Sequence, residues 1–429
     1  MMKMDSNTKE ILDKAAKIFS IRVLGYVFGF LFTWILANQY GARIQGIFAI
    51  SFLFLSIGSM VSKLGVETSL VKWIANASDI GEKRNAYIQS LRLILISSIL
   101  VATLVFFLAP LIAQMYNKPS VKESVKLAAL AIPCLSVLDI SANFFKGEKR
   151  ITTYGIYVQL LKFLLPLILI SIFLCYSLFF EVLPILCYLI GLFLLSITVF
   201  LHVFSCIKQG KKVYQKHISF KFIILESCPM MISSAIVMIM GWSDVFILGF
   251  YVEEGSIGVY STAVKLATTV SFVYNAIATI ATPKIANFYH HNNTDKLKET
   301  ISFSSKMMLL FGLPIFVIIF SFPEVLLNFF GLEYVVGKTV LRILLTAQFI
   351  NVLTGPVGPI FQMTGRQKKL QSFIIIALGI NIVSSVLLVN IWSLEGVAIA
   401  SAFGMMFWNI LGSSYIYKVM DIKTWARFI

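Results

Sequence analysis

Two charged residues stand deep within apolar runs, Asp244 and Lys265, in the stretch WSDVFILGFYVEEGSIGVYSTAVKLATTVSFVYNAIATIATP from Trp242 to Pro283. Asp244 lies about ten residues before the polar turn Glu253-Glu254-Gly255 and Lys265 about ten after it. At roughly 1.5 Å per helical residue, both would sit about 15 Å below the same membrane face, where they are expected to meet. A charge at that depth costs roughly 2.5 to 3.5 kcal/mol, so each should face the bundle interior, a water-filled cavity or the other. Lys265 is therefore a candidate contact for an anionic substrate. Asp244 is a candidate partner for it, or an ion-coupling carboxylate that takes up a proton. A static pair that locks two helices together is the plainer alternative, and unrelated placement, with Asp244 snorkelling toward the outer face, is the third.

Arg22 and Lys162 fall near the ends of apolar runs, where long side chains can reach headgroups or line a vestibule that attracts phosphate. Lys338 and Arg342 are their counterparts at the opposite face, and Asp139 and Glu226 lie near the same interface as Arg22. Lys63 and Glu67, spaced i and i+4, are expected to form a surface pair. Within the apolar runs, Asn275 and Gln348 are candidates for a polar cavity wall, together with Tyr157, Gln159, Tyr274, Asn351 and Asn381. Each could equally make an interhelical hydrogen bond, worth of order 0.6 kcal/mol.

Covalent chemistry finds no support. The five cysteines are scattered singly through apolar runs, and His202, His217, His290 and His291 form no metal-ligand pattern. No phosphate-cradling G-x-x-x-x-G-K-[ST] loop is present. No catalytic residue, metal or cofactor is expected, and the driving force must come from a gradient or from the substrate.

The elements that position these residues are membrane helices. A chain of 429 residues that is 58% hydrophobic, 14% aromatic and only 13% charged lies outside the soluble class. Runs free of Asp, Glu, Lys and Arg occur at 23–42, 44–62, 93–117, 163–180, 182–207, 307–323, 343–365, 370–394 and 396–417. Three more, 127–145, 227–252 and 255–283, are each interrupted by one charge: Asp139, Asp244 and Lys265. Each is near the roughly 20 residues that span a bilayer, which predicts an all-α integral membrane protein of twelve transmembrane helices.

Six spans precede the basic segment 208–221 and six follow it. The chain therefore reads as an N-terminal six-helix lobe over 1–207, a cytoplasmic linker over 208–221 and a C-terminal six-helix lobe over 222–429. Ile11, Leu12, Ala15, Ile18, Phe19 and Arg22 follow helical spacing, so 9–22 is expected to be an amphipathic lead-in. No cleavable signal pattern is seen at the N-terminus, which is expected to be retained. Of 36 Lys and Arg, only Arg43, Lys118, Lys122, Lys126, Lys338 and Arg342 fall on one face and Lys265 within a span; the rest fall on the other face. By the positive-inside rule both termini are expected in the cytoplasm. This distribution also accounts for the net charge of +16 without nucleic acid.

The halves echo each other. At an offset of 212, Ile35-Leu36 falls on Ile247-Leu248, Gly46 on Gly258 and Phe48 on Tyr260. At 218, Lys146-Gly147-Glu148-Lys149-Arg150 falls on Thr364-Gly365-Arg366-Gln367-Lys368. Recurrence in order suggests two parallel six-helix repeats. Prolines fall within or at the ends of the spans, and Pro356 and Pro359 of GPVGP are candidate hinge points.

With six plus six spans, YGARIQGIFAISFLFLSIGSMVSKLGVETSLVKWIA in the first half and SDVFILGFYVEEGSIGVYSTAVKLA in the second, the chain resembles the polysaccharide transport family of the multidrug/oligosaccharidyl-lipid/polysaccharide (MOP) exporter superfamily. The similarity covers essentially the whole chain and is greatest to O-antigen (Wzx-type) flippases. The resemblance implies MATE-like V-shaped lobes around a cationic cavity in the bacterial inner membrane. It implies transfer of an undecaprenyl-diphosphate-linked oligosaccharide, an O-antigen or capsule unit, from the cytoplasmic to the periplasmic leaflet, coupled to an ion gradient. A polysaccharide polymerase and chain-length machinery are the implied protein partners. The runner-up is a MATE-like drug or cation antiporter using Asp244. A membrane polymerase or ligase would need a longer outer loop than 113–126.

Overall fold

The computed structural model describes residues 6–208 and 220–425, with side chains described from Lys17 onward apart from a few in the eighth helix. The amphipathic lead-in before Lys17 therefore lies outside the described side chains, and linker residues 209–219, including His217, lie outside the described residues. Among the described residues all regular structure is helical. In chain order the helices are α1 (Ser6–Lys63), α2 (Val66–Asn76), α3 (Ile80–Met115), α4 (Val121–Gly147), α5 (Ile151–Gly155), α6 (Lys162–Cys175) and α7 (Leu183–Ile207). There follow α8 (Phe220–Tyr251), α9 (Glu254–His290), α10 (Thr294–Ser321), α11 (Pro323–Asn328), α12 (Lys338–Leu353), α13 (Val357–Met363) and α14 (Gln367–Met420). A π-helical turn, Ile156–Leu161, joins α5 to α6, and a 3₁₀ turn, Leu332–Gly337, leads into α12.

Nine of these stretches are long and apolar enough to cross a bilayer, and Ala235–Tyr251 is a shorter apolar helix. Two of the nine each hold two spans. α1 is interrupted at Gly41 (φ 78°), and α14 at Trp392 and Ser393. Twelve spans thus stand among the described residues, in the order the hydropathy pattern predicts. Several ends differ. The tenth span stops at Leu353, because Gly355 (φ 73°) and Pro356 open the chain before α13. By contrast Pro110, Pro133, Pro166, Pro283 and Pro314 are carried inside continuous helices.

The internal repeat is visible in the break points. Gly41, where α1 is interrupted, is 212 residues before Glu253, where α8 turns into α9. Gly147, ending α4, is 218 before Gly365, in the turn that leads to α14. The same local signal opens a turn in one copy and interrupts a long helix in the other.

Contacts divide the chain into two compact units. One comprises Met1–Tyr40 with Ile47–Met238, the other Gly41–Gly46 with Ile239–Ile429. The division by contacts falls inside α8, between Met238 and Ile239. The cause is local: Ser227 donates to Ser69 Oγ at 2.8 Å, and Trp73 stacks on Phe222, so the first turns of α8 pack on α2.

In the first unit α4 is the central helix. Ala128, Ala129, Ala131, Ser136, Ser141 and Ala142 are buried along it, and small residues let neighbouring helices approach. Tyr87 and Ile94 of α3 and Leu192, Val199 and Val203 of α7 belong to the same core, closed below by Val66, Leu70 and Ile74 of α2. In the second unit Ile285 of α9, Ile301 of α10, Ile360 and Phe361 of α13 and Ile416 of α14 form a core. There also Gly46 lies against the Glu254 carbonyl and Gly258 against the Ala42 carbonyl, contacts related by the 212-residue repeat and possible only without a Cβ at either glycine.

Candidate functional site

Asp244 lies seven residues before the end of α8, and Tyr260 six after the start of α9, so the tight turn at Val252-Glu253 brings them level. Tyr260 donates its hydroxyl to Asp244 Oδ2 at 2.6 Å. Asn381, from the first half of α14, directs Nδ2 at Asp244 Oδ1 at 3.5 Å, and its Oδ1 accepts from Ser243 Oγ at 3.0 Å. Ser401, beyond the break in α14, also approaches the carboxyl. Asp244, Tyr260, Asn381 and the neighbouring Ser385 are all buried. This is one acid held by neutral hydroxyl and amide groups from three helices, in a segment where an unneutralised charge is costly. A proton or a small hard cation would meet oxygen donors here.

The expected meeting of Asp244 and Lys265 is not what the structure shows. Lys265 lies more than a turn further along α9 than Tyr260, and among the described residues the groups hydrogen-bonded to Asp244 are Tyr260, Ser401, Asn381 and Ser243. The turn brings Tyr260, not Lys265, opposite the acid, because Asp244 stands only seven residues from the end of α8 and Lys265 stands eleven from the start of α9. Lys265 instead belongs to a polar stripe on α9. Ser261, Lys265, Thr268 and Asn275 recur at helical spacing, and the Thr268 hydroxyl donates to the Lys265 carbonyl at 2.9 Å. Asn275 Nδ2 donates to the Ser271 carbonyl at 2.9 Å, while Ser271 Oγ bonds Gln348 of α12. Two of the residues expected along a cavity wall, Asn275 and Gln348, therefore converge on Ser271.

The first unit holds a second cluster. Lys63, at the end of α1, donates to Asp139 Oδ2 of α4 at 2.6 Å and lies 3.8 Å from Glu67 Oε1 of α2. The Lys63 and Asp139 side chains are only 14% and 17% exposed, so the expected surface pair is part of a largely enclosed network. Lys162, at the exit of the π-helical turn, acts electrostatically on Asp139, and Arg22 acts on Tyr154, which also lies near Asp139, Lys63 and Glu67. Lys63 and Lys162 thus act on Asp139, with Glu67 beside Lys63 and Arg22 near Tyr154, three cationic side chains to two carboxylates. Serines complete its floor: Ser62 and Ser136 share a hydrogen bond at 2.8 Å, and Asn143 donates to the Asp139 carbonyl at 2.8 Å. Gly25 of α1 lies against the Gln159 carbonyl in the π-helical turn, which sets α1 close to the segment that presents Lys162. π-Helical turns occur often at functional positions.

The remaining candidates are placed outside both clusters. Glu226 accepts from Lys72 Nζ at 2.8 Å and from Trp73 Nε1 at 3.1 Å, and the hydrogen bond from the Lys72 ammonium holds its carboxyl below the usual range. Lys338 bonds Glu324 at 2.8 Å, and Arg342 Nε donates to the Phe320 carbonyl at 3.3 Å. Among the described residues no group of three or more His, Cys, Asp and Glu is arranged to hold a metal ion. Sequence reasoning missed Tyr260 and Ser401 at Asp244, and the Lys63–Asp139 pair. The first two are uncharged residues of apolar spans, and the pair joins residues 76 positions apart.

Comparison with known proteins follows the same lines. Residues 11–289 match the family described as "Polysaccharide biosynthesis protein" and residues 229–387 the family MatE. A curated relative from Haloferax volcanii, "Probable low-salt glycan biosynthesis flippase Agl15", is 23% identical over 184 residues, 42% of this chain and 39% of that protein. The chain thus spans about two-fifths of that relative's length. Among solved structures, an inward-facing multidrug resistance MATE family transporter of the MOP superfamily superposes with a TM-score of 0.74 at 17% identity, covering 95% of this chain and 98% of the other. The lipid II flippase MurJ in an inward closed conformation gives 0.76 at 16% identity, covering 93% and 87%. At such identities the two structures establish the fold. The match over residues 11–289 takes in more than half of the sequence, and the chain therefore belongs to the polysaccharide biosynthesis protein family.

Proposed function

We propose that the protein is a flippase that carries a lipid-linked glycan across the membrane, and that its substrate is an undecaprenyl-diphosphate-linked oligosaccharide moved from the cytoplasmic to the periplasmic leaflet. The observation that carries this reading is the net positive cluster of Arg22, Lys63 and Lys162 against Asp139 and Glu67, set within apolar helices of a polysaccharide-biosynthesis family member. A diphosphate needs charge-assisted donors where water is scarce, and Lys162 and Arg22 supply them. Lys63 is the structural member, already committed to Asp139. Lys265, with Asn275 and Gln348 further along, offers a second cation and a polar wall for sugar hydroxyls. The isoprenoid tail has no need of a polar path and stays in hydrocarbon.

The driving force is assigned to Asp244. A carboxyl held by hydrogen bonds from Tyr260 and Asn381 is suited to exchange a proton, or a small cation, between two access states of an alternating-access cycle. No covalent step is required, so the protein is read as a transporter and not an enzyme. The proposed setting is the bacterial inner membrane with both termini in the cytoplasm. O-antigen or capsule units are the substrates in view, and the polysaccharide polymerase and chain-length machinery are the partners that would receive them.

A second reading, a MATE-like drug or cation antiporter, is favoured by the MatE match over 229–387, which contains Asp244. Deleting the gene from its host separates the two. The flippase reading expects loss of surface polysaccharide and build-up of the lipid-linked unit on the inner leaflet, restored by wild type and not by Lys162→Met. Unchanged polysaccharide together with sensitivity to cationic drugs would favour the antiporter.

A further inference from the structure

The first turns of α10 and the last turns of α9 enclose a groove of about 580 Å³, within the range of small-molecule sites. Its apolar length is formed by Ile277 and Ile280 of α9 and by Phe303 and Phe311 of α10, and its polar end by Lys284 and Lys296 with Glu299. The residues follow helical spacing on two antiparallel helices, so the groove runs along them and not across. Ile280, Phe303 and Phe311 are 45%, 62% and 56% exposed, and beside them Leu310, Val317 and Ile318 are exposed as well. In a membrane helix such a face meets acyl chains, and the groove opens toward them.

The two lysines stand where the helices end. Lys284 is six residues from the C-terminus of α9 and Lys296 two from the start of α10, about 9 Å and 3 Å along their axes, the depth at which headgroups begin. Among the described residues neither lysine is in an ion pair, whereas Lys298 on the same turn of α10 is joined to Asp421 at 3.0 Å. The polar end of the groove therefore has two available ammonium groups against the single carboxylate of Glu299, a net positive mouth on an apolar channel.

We infer that this groove is a binding site for an anionic glycerophospholipid, with the phosphate between Lys284 and Lys296 and an acyl chain laid along Ile280, Phe303 and Phe311. The charge is complementary to one phosphodiester, the apolar length to a hydrocarbon chain, and the order of the two along the helices is that of a lipid in its own leaflet. Basic pockets between membrane helices hold anionic headgroups in this way. Occupancy would brace the α9–α10 hairpin. The site uses none of the residues assigned to glycan transfer and stands whether or not that assignment holds.

The test is lipid retention by the purified full-length protein, measured by native mass spectrometry after exchange into detergent with dioleoylphosphatidylglycerol or dioleoylphosphatidylcholine. Wild type is expected to retain phosphatidylglycerol in preference to phosphatidylcholine. Lys284→Gln with Lys296→Gln is expected to lower that retention roughly 30-fold, the effect of two lysine charges near a membrane surface. The charge-matched Lys306→Gln with Lys368→Gln should leave it unchanged, and Glu299→Gln should raise it. Equal retention of both lipids, equal losses in the two lysine doubles, no effect of Glu299→Gln, or preferred capture of an isoprenyl diphosphate would each overturn the proposal.

Discussion

At the scale of single residues, the buried ionisable groups differ in what their removal would cost. Lys63 and Asp139 compensate each other at 2.6 Å with little exposure. Lys63→Met leaves Asp139 without its nearest cation and is expected to destabilise the protein by about 3–5 kcal/mol, while Lys63→Met with Asp139→Leu recovers most of this, because a well-packed apolar pair is often as stable as a buried ion pair. Thermal unfolding of the purified single and double variants checks it. Asp244→Asn keeps the hydrogen bonds to Tyr260 and Asn381 within reach but removes proton exchange. Its expected phenotype is a folded protein whose transport no longer responds to an imposed gradient. How far these residues were legible in sequence depended on depth. Asp244 and Lys265 announced themselves as charges in apolar runs, but their partners did not, since Tyr260 and Asn381 carry no charge and Asn381 is 137 residues away from Asp244. Arg22 and Lys162 were legible as cations near span ends, and only the fold places them around Asp139 and Tyr154.

At the scale of elements, the caps and crossings show what holds the helices in register. The helix that begins after Gly41 has its first free amide, Ala42 N–H, bonded to Glu333 Oε1 at 2.6 Å, a cap supplied from 291 residues away. Glu333→Ala removes it and is expected to cost about 1 kcal/mol, as loss of a side-chain cap does, read as a lower unfolding midpoint. Gly46→Val or Gly258→Val should cost much more, because a Cβ at either position meets a backbone carbonyl that has no room to yield. The α2–α8 contact is pH-dependent. The Glu226 carboxyl lies below its ordinary range beside Lys72, so its stabilisation is complete above the ordinary carboxylate range and fades as the pH falls through the lowered value. With Lys72 57% exposed the effect is at most about 1 kcal/mol, and Glu226→Gln should flatten the acid side of the stability profile. Existence and order of the helices were readable from hydropathy, because charge-free runs of span length leave little alternative. The ends were not: Gly355 and Pro356 cut the tenth span, and α1 and α14 each run through a turn that charge placement alone marks as a loop.

At the scale of the whole molecule, duplication and charge asymmetry carry the account. The offset of 212 that places Gly46 on Gly258 also relates two packing contacts, Gly46 with Glu254 and Gly258 with Ala42, so the repeat is a property of the packing as well as of the sequence. The proposed orientation predicts that single cysteines at Lys72, Lys296 and Lys369 in a cysteine-free background are labelled by an impermeant maleimide only after the cytoplasmic face is opened. Cysteines at Lys122 and Lys338 should be labelled in intact cells. The central claim is that a net positive cluster in the first unit receives the diphosphate of a lipid-linked glycan. Its most direct measurement is the transbilayer transfer rate of a fluorescent undecaprenyl-diphosphate oligosaccharide in proteoliposomes under an imposed proton gradient. Wild type is expected to transfer it, and Lys162→Met, folded and inserted to the same extent, to do so at least tenfold more slowly. Transfer by Lys162→Met at the wild-type rate would contradict the account.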